Sequence, residues 1–257
     1  MSIAREIAGR HALVTGGGSG VGKAIALALA EAGVAVTICG RREAALAEVA
    51  KENDRIFGLA ADVTNEGDMA AVYQKAEAAR GPFDIVVANA GMAGSAPAHK
   101  TSLADWQRTL DINLTGAFLT VKPALAGMME RKAGRMVFVA STAGLKGYAY
   151  VAPYVAAKHG VVGLMRALAA ETAKSGVTVN AVCPGFVETD MLEESIRRIA
   201  EKTGRSAEEA RKTLSATNPQ GRFIKPEEVA DAVLWLCSDA ARSITGQAIS
   251  ISGGETW

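Results

Sequence analysis

Along the chain, short apolar runs rich in Val and Ile alternate with longer stretches in which apolar residues return every three or four positions. The first pattern marks strands buried on both faces, and the second marks helices with one covered side. His11–Thr15, Val34–Cys39, Arg55–Ala60, Ile85–Asn89, Arg135–Ala140, Thr178–Cys183 and Gln247–Ile251 are predicted strands. Val21–Ala32, Glu43–Lys51 and residues 66–80, 103–130 and 153–174 are predicted helices. Their alternation predicts an α/β fold, a doubly wound Rossmann-type parallel sheet of about seven strands with helices on both faces. No linker, low-complexity tract or further repeat interrupts residues 1–257, so a single domain is expected. Between Pro184-Gly185 and Pro219, the stretch Glu193–Lys212 carries five acidic and six basic residues and predicts a small helical lid over about 190–217.

The turn Thr15-Gly16-Gly17-Gly18-Ser19-Gly20-Val21-Gly22 joins the first strand to the first helix. Backbone N–H groups and a helix N-terminus there can face a pyrophosphate, which makes Gly16, Gly18, Ser19, Gly20, Val21 and Gly22 candidate dinucleotide contacts. Gly17 to Lys23 almost spells a nucleoside triphosphate loop, but Ala24 stands where that motif needs the hydroxyl that holds magnesium. About 20 residues further on, a dinucleotide fold that selects NADH places an acid on the adenosine ribose. This chain has Gly40, then Arg41 and Arg42. A guanidinium there grips a 2′-phosphate, so NADPH/NADP+ is expected over NADH, with Arg41 as the contact.

Tyr154 and Lys158 lie four apart in a predicted helix and therefore project from one face. A phenol is a poor base at neutral pH. An adjacent ammonium, together with the positive end of a helix starting near Pro153, predicts a lowered tyrosine pKa and a proton shuttle between an alcohol and its ketone. Ser141 follows a predicted strand at the edge where such folds place their sites, and its hydroxyl is a candidate to hold the carbonyl oxygen.

These residues, with Asn89-Ala90-Gly91, Asn113 and Pro184-Gly185, resemble the short-chain dehydrogenase/reductase superfamily of classical type, from about residue 8 onward. The order of Thr15, Gly16, Gly20 and Gly22 and the 13-residue gap from Ser141 to Tyr154 match it as well. The resemblance implies that Ser141 orients the substrate oxygen, Tyr154 is the general acid and base, and Lys158 lowers the tyrosine pKa while binding the nicotinamide ribose. It implies a relay water at Asn113, adenine contacts at Asp62 and Val63, a ribose-side contact at Asn89, and carboxamide contacts at Val187 and Thr189. Ala88 departs from the family, which usually has asparagine there, and puts a structural hydrogen bond in doubt.

Within the family, Ala181–Met191 and Tyr154–Gly163 look most like 3-oxoacyl-[acyl-carrier-protein] reductases and aromatic polyketide ketoreductases. That implies NADPH-dependent reduction of a 3-oxoacyl thioester, presented on acyl carrier protein or coenzyme A, to the 3-hydroxyacyl thioester. By the same analogy Lys146, Tyr148 and Met191 line the substrate pocket. Arg197, Arg198, Arg205 and Arg211 are candidates to attract coenzyme A phosphates or an acidic carrier, against a plain solvated lid with interleaved glutamates. An NAD-dependent secondary-alcohol or 3-hydroxyacyl-CoA dehydrogenase is the neighbouring alternative. A non-catalytic dinucleotide sensor is the remote one. Family habit further implies a homotetramer built through the helices over 103–130 and 153–174 and the last strand.

Bulk properties narrow the field from the other side. With 49% hydrophobic and 21% charged residues, the 257-residue chain can bury a sizeable core. A net charge of +1 from 28 basic and 27 acidic residues gives no field for nucleic acid or anionic lipid. Cys39, Cys183 and Cys237 are far apart and odd in number, the usage of a reduced compartment with neither a disulfide framework nor a metal site. Met1–Gly9 lacks a leader-like apolar run, and no membrane span is predicted, so a cytoplasmic location is expected.

Overall fold

In the computed structural model, which describes residues 6–257, seven parallel strands form one sheet. They are β1 (His11–Thr15), β2 (Ala35–Gly40), β3 (Ile56–Ala60), β4 (Ile85–Ala88), β5 (Gly134–Val139), β6 (Val177–Pro184) and β7 (Ala248–Ile251), in the order β3-β2-β1-β4-β5-β6-β7. The helices are α1 (Gly20–Glu31), α2 (Glu43–Lys51), α3 (Glu66–Arg80), α4 (Leu103–Leu110), α5 (Gly116–Arg131), α6 (Ala152–Thr172), α7 (Asp190–Thr203), α8 (Ala207–Ser215) and α9 (Pro226–Cys237). None of them is long and apolar enough to cross a membrane.

Side chains of a strand alternate between faces, and both faces here are covered. Leu13, Val86, Met136 and Phe138 point into one core with Tyr73 of α3, Val121 of α5 and Met165 of α6. Their strand neighbours Val14, Ile85, Val87 and Val137 point into the other, with Leu29 of α1, Leu46 of α2 and Val233 of α9. This explains the near-continuous apolar runs. Each fully buried Leu, Ile or Phe contributes roughly 1.5–3 kcal/mol. Cys39, Cys183 and Cys237 are free and buried, and burial pushes the Cys183 thiol up to about 11.

Strand edges differ from the expectation by a residue, as hydrogen-bonded pairing overrides propensity at an end. The larger departure is the single helix expected over 103–130. It divides into α4, a π turn at Asp111–Thr115, and α5. In the π turn the N–H of Gly116 bonds the carbonyl of Asp111, five residues back. Trp106, Leu110, Leu114, Ala117 and Val121 keep their three- and four-residue spacing across this turn, so the pattern hides it. Beyond β6, α7 and α8 pack on each other through Leu192, Ile196, Ala210 and Phe223. A reciprocal cap of Ser206 and Glu209 starts α8.

Candidate active site

From β1 the chain builds outward to β2 and β3, then crosses back to place β4 on the other side of β1. The carboxyl ends of the central strands therefore diverge into a crevice, here a cleft of about 880 Å³ reaching from Arg41 at one end to Lys202 of α7 at the other.

The glycine-rich turn forms the floor. Gly20 has φ +53°, and a Cβ on Gly22 would lie 2.3 Å from the Gly16 carbonyl oxygen and 2.4 Å from Asn89 Nδ2, so no larger residue fits there. Asn89 donates from Nδ2 to the Thr15 carbonyl at 2.8 Å, and the backbone N–H groups of Asn89 and Ala90 both donate to Thr15 Oγ1 at 3.1 Å. Ala88 is buried in β4 directly before this junction, which thus holds together without a side-chain bond from position 88. The first turn of α1 contains no acidic residue, which leaves the positive end of its dipole uncompensated toward the cleft. Arg41 and Arg42 stand beside it, and Arg42 Nη2 donates to Ser19 Oγ at 2.8 Å. Asp62 Oδ1 accepts from Thr64 N and Oγ1, bonds that hold its carboxyl below the usual range, with Arg41 adding to the effect. A cradle free of side chains, an open helix dipole and two guanidiniums fit a dinucleotide carrying an extra phosphate. The pattern named Thr15 and Arg42 but not their contacts, Thr15 with Asn89 and Ala90 and Arg42 with Ser19, which are tertiary.

The opposite wall comes from β5, α6 and the π turn. Ser141 follows β5 and caps the short turn Thr142–Gly144, its Oγ accepting from Ala143 N at 3.1 Å. A Cβ on Gly144 would fall 2.8 Å from the Lys158 carbonyl oxygen, so this glycine lets the Ser141 turn sit directly on α6. Tyr154 lies in the first turn of α6 with Lys158 one turn on, as the spacing predicted. The Lys158 side chain is buried, and its Nζ donates to the Val139 carbonyl at 2.9 Å and stands 5.6 Å from the Tyr154 ring centroid. Burial pushes this lysine down to about 8. The expected lowering of the tyrosine pKa is corrected: burial raises it, and a hydrogen bond from Ser141 opposes without overcoming that rise. Taking charge out of water is the dominant influence on this phenol.

Asn113 is buried in the π turn. Its Nδ2 donates to the carbonyls of Met92 and Thr109, both at 2.9 Å, while Oδ1 accepts from Met92 N. Both side-chain donors are thereby spent, one on the loop after Gly91 and one on the carbonyl of Thr109 in α4. Pro184 ends β6 and Gly185, Val187 and Thr189 follow it along the same cleft, and Thr189 Cγ2 lies 3.1 Å from where a Gly20 Cβ would be. Of the expected pocket residues, Tyr148 and Met191 do line the cleft. Lys146 does not, because its Nζ pairs with Glu255 at 3.0 Å. In α7 and α8, Arg197, Arg198 and Arg211 pair with Glu201, Glu194 and Glu193, the pattern of a solvated helix surface. A hydroxyl, a phenol and a buried amine thus converge beside the glycine-rich turn, a set suited to moving a proton at a carbonyl oxygen.

Comparison with known proteins agrees with this geometry. The family model described as short chain dehydrogenase matches residues 10–200. A putative ketoacyl reductase of Streptomyces coelicolor is 40% identical over 249 residues, covering 95% of each chain. The D-beta-hydroxybutyrate dehydrogenase of Cupriavidus necator is 38% identical over 96% of this chain and 97% of its own. A solved variant of actinorhodin polyketide ketoreductase with NADPH superposes with a TM-score of 0.93 at 38% identity, covering 99% of each chain.

Proposed function

We propose that this chain, which belongs to the short chain dehydrogenase family and is an oxidoreductase acting on CH–OH groups, reduces a 3-oxoacyl thioester to the 3-hydroxyacyl thioester with NADPH. The observation that carries this reading is the convergence of Ser141, Tyr154 and buried Lys158 on one wall of the cleft that the glycine-rich turn floors. The nicotinamide nucleotide supplies the hydride. Gly16, Gly18, Ser19, Gly20, Val21 and Gly22 receive its pyrophosphate; Asp62 and Val63 face adenine. Asn89, Ala90 and Gly91 border the ribose, and Pro184, Gly185, Val187 and Thr189 the carboxamide.

Ser141 and Tyr154 hold the substrate carbonyl oxygen, and Tyr154 gives it the proton. A phenol whose pKa is raised is fully protonated at neutral pH, which suits it to act as the acid in reduction. Lys158 fixes the ribose and, as an ammonium below about pH 8, favours proton release from the phenol. Reduction should therefore decline as pH rises through about 8, and a rate that kept rising to pH 10 would contradict that role.

Arg41 and Arg42 select the 2′-phosphate. Losing a charge-assisted contact costs about 1.5–3 kcal/mol, so Arg41→Ala should raise KM for NADPH roughly 10- to 100-fold. Arg42→Ala should act more weakly, and KM for NADH should stay within about twofold in both. Equal losses with the two cofactors would remove the phosphate role. The assay of function follows NADPH and NADH oxidation with acetoacetyl-CoA. A preference for NADH would favour the oxidative alternative, for which the hydroxybutyrate dehydrogenase relative speaks.

We further propose a cytoplasmic homotetramer. Leu103 is 80% exposed and Phe118 and Met129 are partly so, an apolar set on α4 and α5 that association would cover. Light scattering should give four times the 26.6 kDa chain mass, and a monomer would end that proposal.

A further inference from the structure

Near the end of the chain, Glu255 carries a carboxylate only 2% exposed. Its Oε1 accepts from the Tyr148 hydroxyl at 2.6 Å and pairs with Lys146 Nζ at 3.0 Å. Its Oε2 is buried without a partner among the described residues, 3.2 Å from where a Gly185 Cβ would be. A carboxylate held this way is costly, and an apolar side chain of similar size would fill the space without that cost. Packing alone therefore does not account for a carboxylate at this place.

The contacts of Tyr148 say what the task is. Its oxygen lies 2.6 Å from Glu255 and 2.7 Å from Thr142 Oγ1. With one proton to give, the phenol gives it to the carboxylate, the stronger acceptor, and the Thr142 hydroxyl turns to donate in return. The Tyr148 hydroxyl is then engaged on both sides, in a residue that lines the cleft. Glu255 is itself held by the C-terminal turn. Thr256 Oγ1 lies 2.6 Å from Ser250 Oγ, and Gly253 sits so close to Asn218 that a Cβ there would lie 2.0 Å from its Oδ1. Asn218 follows directly on the segment of α7 and α8. The turn therefore joins the base of those helices to the loop carrying Thr142, Lys146 and Tyr148.

We infer that Glu255 is a positioning residue: it latches Tyr148, and through it the 142–151 wall of the cleft, so that the C-terminal turn sets how firmly the apolar part of a ketone is held. The inference rests on the ketoreductase reading for its kinetic consequence and on geometry alone for its structural one.

Hydrogen exchange and steady-state kinetics on Glu255→Gln, with Glu255→Asp as the conservative variant, separate the two. In Glu255→Gln, exchange across residues 142–151 is expected to rise about tenfold while β5 and α6 beyond Lys158 keep their protection. KM for acetoacetyl-CoA and for acetophenone should rise roughly fivefold or more, with kcat and NADPH affinity within about twofold, and Glu255→Asp should recover part of the loss. Unchanged exchange and KM, or a uniform rise in exchange over the whole sheet, would overturn the latch. If Glu255→Gln does not fold, Tyr148→Phe cuts the same bond while leaving the carboxylate on Lys146, and exchange across residues 142–151 then decides. A wild-type protein that reduces no ketone, yet shows the local exchange effect in the variant, would overturn the ketoreductase reading and keep the latch.

Discussion

Tyr154→Phe is expected to lower kcat/KM for ketone reduction about 10³-fold, within the 10²- to 10⁴-fold range that a positioned proton donor contributes. The substitution removes one oxygen and keeps the ring, so the first turn of α6 and its packing should survive. NADPH affinity should change by less than about twofold, because the phosphate cradle and the Arg41–Arg42 corner lie elsewhere in the cleft. What the variant loses is the proton and the bond with Ser141. Ser141→Ala leaves the donor in place and removes its orienting partner, so its loss should be smaller, and the double variant should be little worse than Tyr154→Phe alone. Stopped mixing of enzyme, NADPH and acetoacetyl-CoA under single-turnover conditions isolates the chemical step. Retention of more than a tenth of the wild-type rate in that step would remove Tyr154 as the donor.

The parts of this site legible in the sequence are those fixed by local chain chemistry. Glycines at a strand-to-helix turn announce themselves because few other residues tolerate φ +53° at Gly20 or the approach of Asn89 to Gly22. The Tyr154–Lys158 spacing is legible because a helix turns every 3.6 residues. The π turn was hidden, since Asp111–Thr115 keeps the apolar rhythm of the helices around it while turning Asn113 toward the loop at Met92. Arg42 on Ser19 and Glu255 on Tyr148 were also hidden, being pairs 23 and 107 residues apart that only the folded sheet brings together. The direction of the tyrosine pKa was misread for a related reason. Spacing reveals a neighbouring charge, whereas desolvation depends on the whole surround.

That surround makes Lys158 the position where stability and chemistry are most sharply opposed. Its folded-state pKa lies near 8, against 10.5 for a lysine free in water, because the buried amine is hard to charge. Between about pH 8 and 10.5 the unfolded chain keeps a proton that the folded chain has released, so this group makes stability rise with pH across that window. Below about 8 the full penalty applies, roughly 3 kcal/mol at 1.36 kcal/mol per unit. Lys158→Met removes the penalty and fills the same channel, but leaves the Val139 carbonyl without its 2.9 Å partner, a loss of about 1–2 kcal/mol. The net expectation at pH 7 is a variant more stable by about 1–2 kcal/mol, with a Tm about 2–6 °C higher, and with reduction slowed at least ~10²-fold. Chemical denaturation without nucleotide, from pH 7 to 10, provides the check. The wild type should gain on the variant as pH rises through 8 and match or pass it near 10, where its own amine is neutral. A variant destabilised at pH 7, or a difference that does not change with pH, would show that burial of the ammonium is not what this site bears in order to work.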